Sequence, residues 1–316
     1  MCHGGCGTIV ELVEGTVKRV FGDKDNPINR GALCSKAGTP SIEQLYHPDR
    51  LDYPMIRVGE RGEGKWRRAS WDEALNMVAE KMLAIREEYG AEAVAFGRGT
   101  GVNNTHIVSR LANLFGTPNV TAIAYFCYGP RVAVSKVTAS GDYSQRGWDT
   151  TPIPDVYGKP RCIVQWGSQK RTSNDHGLIG HIPVTDALHE NPINIVVDPR
   201  KPAAAGPADI WLPLRPGTDA AMALGWMRII IDEELYDKEF VEKYCHGFEE
   251  LRERVKDYPL DKVAEITWCS EEDIAHAARA YATTAPGCII WGNGTDQLGN
   301  NTFQATRSLL VLMGIT

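Results

Sequence analysis

The sequence predicts an α/β protein. Helical patterns alternate with short apolar strands, each strand runs into a glycine or proline turn, and polar residues follow the strands directly. The chain has 316 residues, a formal charge of −6 and 43% hydrophobic residues, values typical of a globular protein with about two domains. Because the acidity is mild and no Lys/Arg run occurs, the sequence argues against nucleic acid or an anionic membrane as the main partner.

The first 54 residues are rich in Gly, Pro and Cys and predict a small ligand-organised module. Strands are expected at Thr8 to Leu12 and Thr16 to Phe21. The cysteines follow the pattern Cys2-x3-Cys6-x27-Cys34. Thiolates at such spacing ligate an iron–sulfur cluster, which needs four, or zinc, for which His3 would be a further ligand. Ligation of one ion by the adjacent Cys2 and His3 would strain the geometry, so the cluster is favoured.

A helix is predicted from Ser70 to Gly90. Ser70 and Glu73 form a capping box, and Leu75 and Val78 belong to an apolar helical face. The strand expected at Ala93 to Phe96 then runs into a glycine-rich turn, and residues 55–140 are expected to form an α/β domain.

Further strands are predicted at Cys162 to Trp166, Ile193 to Val197, Asp209 to Leu214 and Cys288 to Trp291. A helix at residues 220–231 is expected to be capped by Thr218 or Asp219, and another helix begins after Ser270. The carboxyl ends of strands in open α/β sheets are where ligands bind. The candidate ligand-binding residues at these ends are Gly167, Ser168, Gln169, Asp198, Pro199, Arg200, Gly217, Thr218 and Asp219.

The cysteine pattern resembles the N-terminus of catalytic subunits of the dimethyl sulfoxide reductase superfamily. The resemblance extends to Lys36, two residues after Cys34, and to the segment 71–75. These proteins carry molybdenum or tungsten on two molybdopterin guanine dinucleotides (bis-MGD). The resemblance implies that Cys2, Cys6 and Cys34 ligate a [4Fe-4S] cluster and that Lys36 relays electrons between cluster and pterin. Without the resemblance, Lys36 would be an ordinary exposed lysine. The family has another cysteine three residues before Cys2, so the start at Met1 resembles a truncation.

The segments 198–200 and 208–220 resemble the dinucleotide-binding stretch of the same family. The resemblance implies that the candidate residues at the strand ends bind the pterin dinucleotide, with Asp219 accepting hydrogen bonds from guanine N1 and N2. A charge at a helix N-terminus is the simpler interpretation of Asp219. Gln169 departs from the family's usual Asn, and Lys201 begins a stretch in which the family often has threonines.

Cys127 lies where the family supplies the protein ligand to the metal, and a soft thiolate suits molybdenum or tungsten. Arg131, close behind it, is expected to bind an anionic substrate or a pterin phosphate. The remaining cysteines are expected to be inert core or surface residues. They are Cys162, Cys245, Cys269 and Cys288.

The resemblance implies an iron–sulfur module (residues 1–54) followed by two Rossmann-like α/β domains, one inserted in the other. The first comprises residues 55–140 and 286–316 and the second residues 141–285, and a C-terminal barrel-like domain is missing. We expect no membrane span, a cytoplasmic location for the chain as given, and no activity from the isolated chain. Periplasmic export stays open because the N-terminus resembles a truncation.

The implied function is that of an oxidoreductase catalytic subunit, with a small-molecule substrate at the metal and a ferredoxin-like electron-transfer subunit as partner. Segments such as 235–242 are most similar to the branch that contains acetylene hydratase, a tungsten lyase that adds water without net redox change. In that hydratase an aspartate follows the second cluster cysteine, whereas here the residue is His3. Two roles are expected for His3, either that of a catalytic general acid or base or only that of a donor to a cluster sulfur or a nearby carbonyl. Since a carboxylic acid and an imidazole are not interchangeable, this departure favours the oxidoreductase over the hydratase. A decayed relative without cofactor is the third alternative.

Overall fold

The computed structural model describes residues 6–27, 29–34, 36–99, 105–122, 129–139, 159–168, 181–201, 208–297, 299 and 301–316. The chain forms two compact units, one of residues 1–42 with 128–316 and one of residues 43–127. Within the described ranges, none of the helices has both the length and the apolar character that crossing a bilayer requires.

The N-terminal module contains an antiparallel hairpin of β1 (Thr8–Val13) and β2 (Thr16–Gly22). Both predicted strands are confirmed, each one residue longer than expected. Glu14 and Gly15 join them with positive φ angles of 50° and 77°, as a tight two-residue hairpin turn requires. Helix α1 (Thr39–Leu45) follows.

The unit of residues 43–127 is built from small sheets and two helices. Its elements are β3 (Met55–Arg57), β4 (Trp66–Arg68), α2 (Trp71–Tyr89), β5 (Phe96–Arg98), α3 (Thr105–Phe115) and β6 (Val120–Ala122). Strands β3 and β4 pair antiparallel, and β5 and β6 pair parallel.

The start of α2 confirms Ser70 as the N-cap residue, because the Ser70 hydroxyl oxygen accepts a hydrogen bond from the Glu73 amide at 3.1 Å. The Glu73 carboxylate, which the predicted capping box would direct to the Ser70 backbone, pairs with Arg67 instead. The strand expected from Ala93 to Phe96 is wrong by three residues. Residues 91–93 form a 3-10 turn, and the strand begins at Phe96, whose amide donates to the Asn119 carbonyl beside β6. The ladder therefore starts where its partner strand becomes available.

The larger unit continues with alternating helices and parallel strands. The elements up to the first long helix are α4 (Gly129–Ala139), β7 (Cys162–Trp166), α5 (His181–Leu188), β8 (Ile193–Val197), β9 (Ile210–Leu212) and α6 (Asp219–Asp232). The remainder are α7 (Lys238–Tyr244), α8 (Phe248–Val255), α9 (Leu260–Thr267), α10 (Glu271–Thr283), β10 (Gly287–Trp291), α11 (Asn293–Asp296) and α12 (Thr302–Ile315). The predicted strands at β7 and β8 are confirmed residue for residue, and β9 is shorter than expected.

The four strands form one parallel sheet in the order β10-β7-β8-β9. Strand β7 is buried over its whole length, as expected for a central strand covered on both faces. The rings of Trp166 on β7 and Trp226 on α6 pack edge to face with centroids 5.3 Å apart. This contact lies in the main apolar core of the larger unit.

The position of β10 corrects the expected division of the chain at residue 286. That division assigns residues 286–316 to a different domain from residues 141–285, whereas β10 pairs along its full length with β7. The following helix α12 packs against α4 and α6. An apolar central strand needs a neighbour at each edge, and β10 supplies the second neighbour of β7.

Candidate cofactor-binding site

Two of the predicted cluster ligands, Cys6 and Cys34, are described and half-buried. Lys36, two residues further along, is exposed. Four predicted site residues lie outside the described residues, namely Cys2, His3, Cys127 and Gln169. Among the residues that are described, no three His, Cys, Asp or Glu side chains come together as a metal site.

Close backbone packing brings the segments that carry Cys6 and Cys34 together. The Asp23 amide donates to the Gly7 carbonyl at 3.0 Å, and the Gly31 amide donates to the Asp23 carbonyl at 2.8 Å. A Cβ atom added to Gly22 would lie 2.3 Å from the Gly31 carbonyl oxygen, so only glycine permits this approach. Two half-buried thiols on adjoining loops fit the soft sulfur ligation of an iron–sulfur cluster.

The strand order also creates a switch point in the parallel sheet. Strands β8 and β9 follow β7 on one side of the sheet, whereas β10 lies on the other side of β7, so the strand order reverses at β7. The crevice beyond the carboxyl ends at such a point is where open α/β sheets bind dinucleotides. Gly167 and Ser168 follow β7 directly, and Gly292 follows β10.

Gly167 and Gly292 bring the two turns into direct backbone contact. Gly167 has a φ of 55°, and a Cβ atom added there would lie 2.6 Å from the Thr295 hydroxyl oxygen. A Cβ atom added to Gly292 would lie 2.3 Å from the Gly167 carbonyl oxygen. Gly167 is among the predicted site residues, whereas Gly292 and Thr295 are not, although the sequence shows that the strand before Gly292 ends in glycine. Bare backbone at this edge suits close approach of a pyrophosphate.

The buried carboxyl group of Asp219 accepts a hydrogen bond from the indole nitrogen of Trp166, the last residue of β7, at 2.9 Å. Burial raises the pKa of this carboxyl above its ordinary value, and the hydrogen bond from Trp166 opposes that shift. The contact places Asp219 at the carboxyl edge of the sheet.

Helix α6 begins at Asp219, one residue before the expected start. Thr218 is its N-cap residue, but the Thr218 side chain makes no capping bond, contrary to the expectation. Its hydroxyl donates instead to the Arg215 carbonyl at 2.6 Å and tightens the turn before the helix. Gly217 is exposed in that turn with a φ of 85°.

Asp198, directly after β8, is also buried. Its Oδ1 atom accepts a hydrogen bond from the Arg200 amide at 2.8 Å, which bends the chain back after the strand. Pro199 and Arg200 themselves are exposed. Since Trp166 and Val197 are paired in register, Ser168 and Asp198 follow neighbouring strands at the same edge. The structure thus brings Ser168, Asp198 and Asp219 to one edge of the sheet.

Arg131 differs from its expected position against a substrate anion or a pterin phosphate. It is buried in α4, and its guanidinium forms an ion pair with Asp296, which has no exposed surface. The indole nitrogen of Trp291 donates to the same Asp296 oxygen at 3.2 Å, and Arg131 also reaches Asn293 at 3.4 Å. A buried guanidinium requires a counter-charge, and Asp296 supplies it from within the fold.

Two family models match the chain. The model described as molybdopterin oxidoreductase matches residues 50–316, and the model described as the molybdopterin oxidoreductase Fe4S4 domain matches residues 1–47. The chain belongs to the molybdopterin oxidoreductase family. The resemblance to the dimethyl sulfoxide reductase superfamily is confirmed, and with it the family's cofactors, a [4Fe-4S] cluster and a molybdopterin with molybdenum or tungsten.

Relatives with different activities match the chain. It is 42% identical over 293 residues to acetylene hydratase of Syntrophotalea acetylenica, a match that covers 90% of this chain and 37% of that protein. It is 34% identical over 326 residues to formate dehydrogenase H of Escherichia coli, covering 99% of this chain and 43% of that protein. Dimethyl sulfoxide reductase DmsA of the same bacterium is 30% identical over 352 residues, with coverages of 100% and 42%.

A solved structure of acetylene hydratase from Pelobacter acetylenicus matches with a TM-score of 0.78 at 36% identity and covers 99% of this chain and 42% of that chain. The match confirms the mixed α/β fold. The chain spans less than half the length of these relatives.

Proposed function

We propose that the chain is part of the catalytic subunit of a molybdenum or tungsten oxidoreductase. The observation that carries this proposal is that the segments bearing Cys6 and Cys34 and the parallel-sheet edge belong to the same compact unit, residues 1–42 with 128–316. An ion pair of 3.0 Å between Arg30, near Cys34, and Asp186 on α5 supports this association. A cluster bound at one place and a pterin at the other would then lie in one electron-transfer unit.

The proposed roles follow the donor chemistry. Cys2, Cys6 and Cys34 hold the [4Fe-4S] cluster, Cys127 ligates the metal, and Lys36 lies between cluster and pterin. When bound, the metal supplies two-electron chemistry and the cluster carries single electrons.

The sheet edge would hold bis-MGD. The backbone after β7, at Gly167 and Ser168, suits a pyrophosphate, while Asp198 and Asp219 offer carboxylate oxygens to the nucleoside. A small molecule is the substrate, and a ferredoxin-like subunit takes or gives the electrons. One relative is named the thiosulfate reductase molybdopterin-containing subunit PhsA, and a subunit of this kind has partner subunits, which supports a partner for this chain.

A hydratase is the second candidate. It is favoured by the 42% identity to acetylene hydratase and by the structural match with a TM-score of 0.78. His3 in place of an aspartate argues against it, because a neutral carboxylic acid and an imidazole hold their protons at different pH.

Lys36 separates the two candidates experimentally. The complete gene product, purified without oxygen, would be assayed for viologen-linked reduction of sulfoxides and oxyanions and for conversion of acetylene and water to acetaldehyde. For an oxidoreductase we expect Lys36→Ala to slow viologen-linked turnover several-fold, whereas Lys18→Ala, an exposed lysine on β2, leaves it unchanged. Acetaldehyde formation at an equal rate in both variants, with no viologen-linked turnover in the parent, would establish the hydratase instead.

A further inference from the structure

Asn29 is completely buried and joins the two cysteine-bearing segments through three hydrogen bonds. Its side-chain amide donates to the Gly7 carbonyl at 3.0 Å and to the Ala32 carbonyl at 2.9 Å. Its side-chain oxygen accepts from the Gly7 amide at 2.9 Å. Gly7 follows Cys6 directly, and Ala32 lies two residues before Cys34.

The bonds between Asn29 and Gly7 form a closed pair, in which each amide both donates and accepts. This is the pattern that two facing residues make in an antiparallel sheet, produced here by a side chain. The remaining N–H of Asn29 goes to Ala32, so both amide donors are used. The Asn29 amide therefore fixes the distance between the backbone beside Cys6 and the backbone before Cys34.

The local chain is shaped to accept this amide. A Cβ atom added to Gly7 would lie 2.6 Å from the Asn26 side chain, so the approach at Gly7 requires glycine. The Asn26 side-chain oxygen in turn accepts from the backbone N–H of Asn29 at 3.3 Å. Aspartate has the same size and shape as asparagine but accepts only, and at position 29 it would turn a carboxylate oxygen toward two carbonyl oxygens.

We propose that Asn29 is a positioning residue for the iron–sulfur cluster, which sets the separation of the Cys6 and Cys34 thiolates through the backbone beside each. The inference rests on the proposed cluster at these cysteines. Groups that orient metal ligands in this way typically change metal affinity by about 10–100-fold when they are removed.

The test compares Asn29→Asp and Asn29→Ala with the parent in the complete gene product, purified without oxygen. Iron and sulfide content, the EPR spectrum after dithionite reduction and the rate of iron loss to a chelator are measured. We expect iron loss from Asn29→Asp to be about 10–100-fold faster than from the parent, with a changed EPR spectrum. Asn194→Ala is the matched control, since Asn194 is also buried but lies in β8. It should retain the parental cluster.

Parental EPR spectra and iron-loss rates in both Asn29 variants would overturn the inference while leaving the proposed cluster intact. An equal effect of Asn194→Ala would also overturn it, since the loss would then reflect general destabilisation. Cys34→Ser provides the reference for a protein without its cluster. If the Cys34→Ser protein accumulates as folded protein while neither Asn29 variant does, Asn29 serves folding and not cluster positioning, and the inference fails. Absence of a cluster from the parent itself would refute the proposed function.

Discussion

The buried ion pair between Arg131 and Asp296 makes a quantitative prediction about stability. Replacing Arg131 by Met removes the counter-charge of a carboxylate that has no exposed surface. The same holds in reverse for Asp296→Leu, which leaves a guanidinium that is only 3% exposed. Because each variant leaves one uncompensated group inside the fold, we expect a loss of about 3–5 kcal/mol in the free energy of unfolding for either change.

The double variant Arg131→Met with Asp296→Leu should lose much less than the sum of the two single changes. Once both charges are gone, neither group pays desolvation, and apolar side chains of similar volume can fill the space. The difference between that sum and the loss in the double variant is the coupling energy of the pair, and it should clearly exceed the roughly 0.3–0.5 kcal/mol within which independent sites add. The indole of Trp291 loses its acceptor in this variant, which keeps the double change from being neutral.

Urea unfolding followed by tryptophan fluorescence measures these changes. Trp166 and Trp226 are fully buried in the same unit and report its unfolding. The control is Arg279→Met, which breaks a bidentate but exposed pair with Glu233 and should change the free energy of unfolding far less. Equal effects of Arg131→Met and Arg279→Met, or strictly additive single changes at Arg131 and Asp296, would refute the reasoning.

Three further outcomes follow from the sheet edge and its core. Burial raises the pKa of the Asp219 carboxyl, so its protonated form stabilises the fold at acid pH and this contribution is lost as pH rises through the folded pKa. The neutral variant Asp219→Asn should therefore unfold at an equal or higher temperature than the parent at pH 7. Calorimetry of both proteins across pH measures the difference. Gly167→Ala should cost about 1–2 kcal/mol or more, because φ is 55° and the new methyl meets Thr295; a urea midpoint equal to that of the parent would contradict this. Burial raises the pKa of the Cys288 thiol to about 12, so iodoacetamide at pH 8 should modify it only after unfolding, as mass spectrometry of the alkylated peptides would reveal.

Strands β7 and β8 could be predicted from the sequence to the residue because each is a short apolar run with a turn at its end. The strand near Ala93 could not be placed in this way. The start of this strand depends on its partner β6, because the pairing between the two strands begins at Phe96. The local sequence pattern carries no information about that partner. The N-cap bond was predicted correctly at Ser70 and wrongly at Thr218, whose hydroxyl donates to the Arg215 carbonyl. Both contacts span three residues, so sequence spacing alone does not tell which direction a hydroxyl takes.

In the candidate site, too, features set by the local sequence could be predicted and contacts with distant residues could not. Polar residues at strand ends, such as Asp198, could be recognised because parallel strands bring their carboxyl ends to one edge. The partner of Arg131 lies 165 residues away in sequence, at Asp296, and an ion pair of that separation leaves no periodic signal. Asn29 was missed for a different reason, since an asparagine among turn residues gives no indication that its amide is fully buried.

The strand order β10-β7-β8-β9 has a consequence for how the protein is made. Strand β7 leaves the ribosome about 125 residues before its neighbour β10. At roughly 5–20 residues per second, that interval lasts about 6–25 s. During this time the edge of β7 that will bind β10 has unpaired backbone groups on a mainly apolar strand, the kind of edge on which other chains aggregate. The nascent chain therefore depends on shielding of this one strand, and the switch point at the carboxyl end of β7 comes into existence only when β10 closes the sheet.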